Sequence, residues 1–169
     1  MIEEYERYGV EVIREEEQDT TDFSKAIKLV LQRVEEGHLD SDQPIVVYGS
    51  SRCDRMDHQF AMISTLLKFN QKVPIYLVQD LSLTRVLDTG HHVLDFSTGF
   101  EGKSIGLFPF GEKASVVTSG LKWDIDGEMK FGKFCSSVSN SKLGKFTALR
   151  SRATGQKQWA TCQLLTAGN

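Results

Sequence analysis

The stretch PIVVYGSSRCDRMDHQFAMISTLLKFNQKVPIYLVQD, residues 44–80, determines the fold that the sequence predicts. An apolar run follows Pro44, a charged corner comes next, and an apolar segment from Phe60 to Phe69 precedes a second apolar run after Pro74. Short apolar runs bounded by turn residues are typical of buried strands, and the longer segment between them is typical of a helix. This order predicts two parallel strands joined by a crossover helix.

The residues before this stretch extend the same alternation. Ile2 to Tyr8 predicts the end of a helix stopped by Gly9, and Val10 to Ile13 predicts a short strand. An amphipathic helix closed by Gly37 should follow. Its apolar positions are Phe23, Ala26, Ile27, Val30, Leu31 and Val34. The first part of the chain is therefore expected to be a partial parallel α/β sheet, thin because three strands form it.

From Ser82 onward the pattern changes to short β-type runs separated by glycine turns. These runs are HHVLDF, SIGLFPFG, ASVVTSGLKW, GKFTALRSR and QWATCQLL. Such a series predicts an antiparallel β-sandwich, resembling a jelly roll. The expected fold is α/β followed by all-β, with an α/β domain over residues 1–81 and a β-sandwich domain over residues 82–169.

Composition excludes several classes of protein. The chain has 169 residues, a formal net charge of -3 and 40% apolar residues, which argues against a general nucleic-acid or membrane-surface binder. Its three cysteines are far apart and odd in number, so neither a disulfide framework nor a zinc site is predicted. No apolar run approaches the length of a membrane span. We expect a cytoplasmic protein without a targeting segment.

The corner GSSRCDRMDHQ, residues 49–59, lies at the carboxyl end of a predicted strand, where open α/β sheets bind ligands. Arg55 offers a fork of donors for phosphate oxygens, and Asp57 offers hard oxygen ligands for magnesium. The alternative is a solvated loop in which Asp54 or Asp57 caps the following helix. A thiol nucleophile at Cys53 is disfavoured, because nothing in the sequence marks a reactive thiol.

A second corner, EEEQDTTDFSK at residues 15–25, also lies between a predicted strand and a predicted helix. Asp19, Asp22 and Lys25 should lie near one helix N-terminus. Carboxylates that hold a metal, with a lysine beside the phosphates, suit phosphoryl transfer. The alternative is a helix cap formed by Asp19 or a threonine. Two such corners on one sheet edge together favour a site.

A third cluster lies in the predicted β region, in TSGLKW (118–123) and SSVSN (136–140). Trp123 could stack on a flat or cationic ligand. Ser137, Ser139 and Asn140 could hydrogen-bond to its polar edge. The alternative places Trp123 in the sandwich core, where tryptophan is more often found.

In this order, the three clusters resemble thiamine pyrophosphokinase. The matching pieces are QDTTDFSKAI (18–27), GSSRCDRMDH (49–58), PIYLVQD (74–80), TSGLKW (118–123) and SSVSN (136–140). The resemblance implies an α/β nucleotide domain followed by a β-sandwich. It implies transfer of pyrophosphate from ATP to the hydroxyl of thiamine, with Mg²⁺ and release of AMP. It also implies a homodimer, since the family's thiamine pocket lies between subunits.

The resemblance also implies roles for individual residues. Those that match family positions around the metal and phosphates are Gln18, Asp22, Arg55 and Asp57, and Asp19 and Lys25 lie beside them. We expect Asp19, Asp22 and Asp57 to be the metal carboxylates. Those of the thiamine pocket are Trp123, Ser137, Ser139 and Asn140. Under this assignment Arg55 neutralises phosphate charge, and Asp57 either helps to hold magnesium or orients Arg55.

Two departures from the family pattern concern the phosphate site. Asp54 stands where the family usually has glycine. The family's earlier acidic motif, of the GDxDS type, has no counterpart, and LDSD (39–42) is a partial match on the wrong side of the first full helix. We therefore expect a shortened isoform or a truncated gene model. The alternatives are a non-catalytic thiamine-binding homologue and a β-sandwich interaction protein without a ligand.

Overall fold

The computed structural model describes most of the chain, in two units. The described residues are 2–49, 55–70, 72–79, 82–98, 100–102, 104–110, 113–132, 140–141, 143, 146–152 and 160–165, the last two ranges as backbone. The units are Met1–Leu39 and Asp40–Asn169.

The first unit contains two helices, α1 (Ile2–Arg7) and α2 (Asp22–Glu35). Helix α2 begins where the hydroxyl of Thr21 accepts a hydrogen bond from the backbone N–H of Ser24 at 3.2 Å. It ends before Gly37, which has a positive φ of 76°, a conformation that glycine adopts without steric cost. Both predicted helices are confirmed.

The strand predicted at Val10 to Ile13 is wrong, since residues 10–18 form neither helix nor strand. A strand is stabilised by its hydrogen-bonded neighbours, and β propensity depends on that context. No described strand pairs with this segment. Its β-type residues alone therefore do not produce a strand.

The second unit contains one helix among its described residues, α3 (Met56–Phe69). Its strands are β1 (Ile45–Gly49), β2 (Ile75–Gln79), β3 (Ser82–Leu87), β4 (Gly90–Asp95), β5 (Ser104–Pro109), β6 (Ala114–Ser119), β7 (Asp126–Met129), β8 (Asn140–Ser141), β9 (Phe146–Arg152) and β10 (Ala160–Leu165). Helix α3 begins at Met56, four residues before the predicted Phe60, so the end of the charged corner is helical.

These strands form a six-stranded sheet of order β1-β2-β3-β10-β5-β8 and a four-stranded sheet of order β4-β9-β6-β7 within the described residues. Strands β1 and β2 are parallel, with Val47 opposite Leu77. The other described pairs are antiparallel, and β2 pairs directly with β3. The predicted sequence of α/β followed by antiparallel β is confirmed, while the domain boundary at residue 81 stays a prediction.

The core of the second unit lies between the two sheets. The residues of this core are almost inaccessible to solvent, because side chains on the facing sides of two packed sheets interdigitate. The cluster contains Leu87, Phe96, Ile105, Leu107, Ala114, Val116, Leu121, Ile125 and Met129. It confirms the predicted sandwich.

Strand β1 was predicted to be buried, and this prediction is wrong. It lies at the end of its sheet's strand order. Val46 is 63% exposed and Tyr48 is 85% exposed, whereas the residues that alternate with them are partly covered. Because successive side chains of a strand point to opposite faces, one face of β1 is open to solvent.

Within the described residues, no helix combines the length and apolar character that crossing a bilayer requires.

Truncating the core should cost far more stability than truncating the open face of β1. Leu107 is 1% exposed. The substitution Leu107→Ala should lower the free energy of unfolding by about 2–5 kcal/mol, since the cavity left behind adds to the loss of buried apolar surface. The matched change Val46→Ala should alter it by less than about 0.5 kcal/mol. Urea denaturation followed by circular dichroism measures both. Equal losses would contradict this assignment of the core.

Candidate functional site

The N-terminus of α2 carries two of the predicted site residues. Asp22 is the first residue of the helix, and Lys25 follows one turn later. Both line an open cavity of about 670 Å³ between the segment 11–17 and α2. The lining carries charges of both signs, since Glu15, Glu17 and Lys28 also belong to it. The structure thus brings Asp22 and Lys25 together on one polar cavity.

The other two predicted residues of this corner are not on the cavity lining. Gln18 is exposed and its amide donates a hydrogen bond to the backbone oxygen of Glu16 at 3.2 Å. Asp19 is exposed. The alternative explanation, a helix cap formed by Asp19 or a threonine, is confirmed for a threonine, because Thr21 caps α2. Asp22 is the first residue of the helix, and the cap does not use its carboxylate.

Sequence reasoning missed Glu17, which organises this corner. Its carboxylate accepts a hydrogen bond from the hydroxyl of Thr20, and its backbone oxygen accepts one from the ammonium of Lys25. The bond from Thr20, with the backbone N–H groups of Asp19 and Thr20, holds the pKa of Glu17 below its usual value. Its Oε1 is buried and has no hydrogen-bond partner. The signal in the sequence was an acidic run, in which no position is singled out.

Arg55 and Asp57 form an ion pair at the start of α3. The Nε of Arg55 donates to Oδ1 of Asp57 at 3.1 Å, and a second guanidinium nitrogen donates to Oδ2. The hydrogen bond from Arg55 lowers the pKa of Asp57, so the pair stays ionised below the usual titration range of aspartate. Both side chains are mainly exposed. This geometry suits the orienting role predicted for Asp57, and Asp54 and Cys53 lie outside the described residues.

No three His, Cys, Asp or Glu side chains among the described residues are grouped as a metal ion would require. The metal set of Asp19, Asp22 and Asp57 therefore stays a prediction. One of its members, Asp57, already shares both carboxylate oxygens with Arg55.

The loop between β6 and β7 is held by a polar network. The carboxylate of Asp124 accepts hydrogen bonds from the hydroxyl of Thr118 at 3.0 Å and from the backbone N–H groups of Leu121 at 3.0 Å and Gly120 at 3.3 Å. The same Thr118 oxygen accepts from the N–H of Ile125 at 2.8 Å. These bonds tie both ends of the loop to its middle.

Asn140 fixes the position of Trp123. Its side-chain nitrogen donates to the backbone oxygen of Trp123 at 2.7 Å, and its side-chain oxygen accepts from the N–H of Trp123 at 3.1 Å and of Ser141 at 2.9 Å. Asn140 is only 1% exposed. It was predicted to contact a ligand, but its amide is committed to the protein backbone. Its geometry is that of a residue that acts through Trp123.

The indole of Trp123 is 54% exposed, so the alternative that placed it in the core is wrong. The physical reason is the loop geometry, because the apolar neighbour Leu121 enters the core instead. The ammonium of Lys122 lies 4.4 Å from the centre of the Trp123 ring. Ser137 and Ser139 lie outside the described residues.

Two family models match this chain, one over each part of the site. The model described as "Thiamin pyrophosphokinase, catalytic domain" matches residues 1–77, which contain the α2 cavity and the Arg55–Asp57 pair. The model described as "Thiamin pyrophosphokinase, vitamin B1 binding domain" matches residues 91–147, which contain Trp123 and Asn140.

Individual proteins show the same similarity. The chain is 32% identical over 138 residues to a thiamine pyrophosphokinase 1 of Oryza sativa subsp. japonica, covering 80% of the chain and 52% of that protein. It is 29% identical over 148 residues to a thiamine pyrophosphokinase 2 of Arabidopsis thaliana, covering 86% of the chain and 54% of that protein. The chain thus spans about half the length of these curated relatives.

The fold has a counterpart among solved structures. The thiamin pyrophosphokinase from Candida albicans superposes with a TM-score of 0.80 at 16% identity, covering 98% of this chain and 68% of that one. The structural similarity supports the fold, whereas the family models support membership of a family. Both models describe domains of one enzyme family and together match most of the chain. The chain belongs to the thiamin pyrophosphokinase family.

Proposed function

We propose that this chain forms thiamine diphosphate by transferring pyrophosphate from ATP to thiamine. The observation that carries the proposal is the exposed Trp123, held by the buried amide of Asn140 inside the segment that the vitamin B1 binding model matches. In the transfer, the hydroxyl oxygen of thiamine forms a bond to the β-phosphorus of ATP. The bond from that phosphorus to the oxygen bridging the α-phosphate breaks, AMP leaves with this oxygen, and the proton of the thiamine hydroxyl passes to water.

Thiamine is an aromatic cation, and Trp123 offers it a flat electron-rich face. Stacking of a cation on tryptophan stabilises binding most when water is excluded from the contact. The polar edge of the aminopyrimidine ring would be bound by Ser137 and Ser139. Asn140 would contribute by keeping Trp123 in place.

Each of the first two clusters offers a cation that would bind phosphate. Lys25 on the α2 cavity and Arg55 at the start of α3 each supply positive charge. Charge on the transferring phosphoryl group is stabilised when such donors are oriented beforehand. Asp57 holds the guanidinium of Arg55 through two hydrogen bonds, which would orient it in this way. Gln18 and Asp19 would contact the nucleotide or its metal from the adjacent turn.

The carboxylates of the α2 cavity fit a Mg²⁺ ion brought by ATP. Asp22 lines the cavity, and Glu17 has a buried oxygen without a partner. Magnesium is commonly held by one or two carboxylates, while substrate phosphates and water complete its coordination. When bound, the ion would neutralise phosphate charge and orient the transferring group.

The resemblance to the family also supports a homodimer. The odd, dispersed cysteines support a cytoplasmic location. The domain boundary near residue 81 is supported by the family models, one of which ends at residue 77 and the other of which begins at residue 91.

The direct test supplies the purified chain with thiamine, ATP and magnesium. Thiamine diphosphate and AMP should appear in equal amounts, and EDTA should abolish both. Saturable thiamine binding without either product would overturn the catalytic proposal and leave a binding function.

Removing the guanidinium at the start of α3 should impair turnover but not folding. We expect Arg55→Ala to lower kcat by about 10²–10³-fold, the loss measured when one charge-stabilising group is removed from an active site. Lys113→Ala is the matched control, because Lys113 also forms an exposed ion pair with a carboxylate, that of Glu128 at 2.9 Å. Steady-state AMP release measures both variants. Equal effects of the two changes would remove Arg55 from the mechanism.

Removing the amide behind Trp123 should weaken thiamine binding. Asn140→Ala removes the side-chain partner of both backbone groups of Trp123, and the freed loop should lower thiamine affinity about tenfold. Asn70→Ala is the control, since the amide of Asn70 donates to Asp88 in another part of the unit. Isothermal titration calorimetry measures the affinity. Unchanged affinity in a folded Asn140→Ala variant would show that the amide does not position the pocket.

A further inference from the structure

The face of Trp123 is already close to a cation of the protein itself. The Nζ of Lys122 lies 4.4 Å from the centre of the indole, within the distance at which a cation and an aromatic face attract each other. Both side chains are exposed. The ammonium therefore occupies the kind of position that a cationic ligand would need.

The backbone beneath this pair is fixed on both residues. The N–H of Lys122 donates to the backbone oxygen of Ser141 at 2.7 Å, and both backbone groups of Trp123 are hydrogen-bonded to Asn140. The backbone from which both side chains start is therefore held by hydrogen bonds.

Lys122 has no ion pair among the described residues, in contrast with Lys113, which lies 2.9 Å from Glu128. The neighbouring carboxylate of Asp124 accepts hydrogen bonds from Thr118 and from two backbone N–H groups. Asp124 is thus occupied by the loop. In the described part of the chain, the Lys122 ammonium contacts the indole of Trp123.

We infer that Lys122 is a specificity-determining residue that competes with a cationic ligand for the face of Trp123. The inference rests on the proposed binding of thiamine at Trp123. A ligand with a fixed positive charge must displace the ammonium and then tolerate it nearby, and both requirements weaken binding. A neutral ligand of the same shape must displace the ammonium as well, but the ammonium does not repel it. Such a ligand also gains no cation–aromatic attraction to the indole. Lys122 therefore selects against cations that contact the indole alone.

The test compares thiamine with an isosteric analogue in which a neutral thiophene ring replaces the thiazolium. All proteins carry Trp159→Phe, so that fluorescence quenching reports Trp123 alone. Lys122→Gln should tighten thiamine binding about two- to fivefold, the effect expected of one exposed cation–aromatic contact. Affinity for the neutral analogue should change less than affinity for thiamine. Lys68→Gln is the matched control, because Lys68 lies over Phe69 at 5.4 Å, and it should change neither affinity.

The titrations distinguish failure of the proposed thiamine pocket from failure of the competition by Lys122. Saturable quenching of the parent protein by thiamine supports the proposed pocket, and its absence overturns the pocket together with the role of Lys122. If the parent binds thiamine but Lys122→Gln leaves its affinity unchanged or weakens it, the competition is overturned and the pocket stands. An equal gain for thiamine and the neutral analogue also overturns it, because the effect would then be one of space and not of charge.

Discussion

The hydrogen bonds of one buried amide determine what the β-sandwich can present to a ligand. Asn140 is almost inaccessible to solvent, and its side chain bonds both backbone groups of Trp123. A buried amide is costly unless its donors and acceptors are paired. Here the pairing links two segments that are 17 residues apart in sequence. The indole of Trp123 can therefore be exposed and yet have a fixed backbone beneath it.

Polar side chains also hold the backbone or a neighbouring side chain in the described residues of the other clusters. Asp124 closes the β6–β7 loop, Glu17 organises the turn before α2, and Asp57 holds Arg55. Each is a carboxylate whose hydrogen bonds are made within the protein. The cations left at the surface of each cluster are the groups that we propose to face a ligand. Acidic residues in this chain thus serve positioning as well as any contact with a metal.

The sequence predicted those elements whose signal is local. Helix α2 has both an apolar stripe and glycine at its end, and strands β5 and β6 have apolar runs between turns. The strand at Val10 to Ile13 and the burial of β1 failed because they depend on which neighbours pair with and cover a segment. The short strand β8 (Asn140–Ser141) is defined by two residues that pair with β5, and two residues carry no periodicity.

The candidate site divides in the same way. Residue types at the expected spacing predict Asp22, Lys25, Arg55 and Trp123 as site residues, since the chemistry of phosphate and of an aromatic cation limits the choice, and these assignments stay predictions. The internal role of Asn140, the hydrogen bond from Thr20 to Glu17 and the contact of Lys122 with Trp123 depend on the three-dimensional structure. An asparagine that contacts a ligand and one that holds a backbone look identical in a sequence.

We propose that thiamine binds at the indole of Trp123, whose backbone Asn140 holds. A thiamine titration of the ¹⁵N-labelled chain, followed by amide chemical shifts, tests it most directly. The account predicts that the largest changes occur at the backbone amides of Leu121, Lys122 and Trp123 and at the indole N–H of Trp123. Changes concentrated on α2, or no change at these positions when thiamine is saturating, would contradict it.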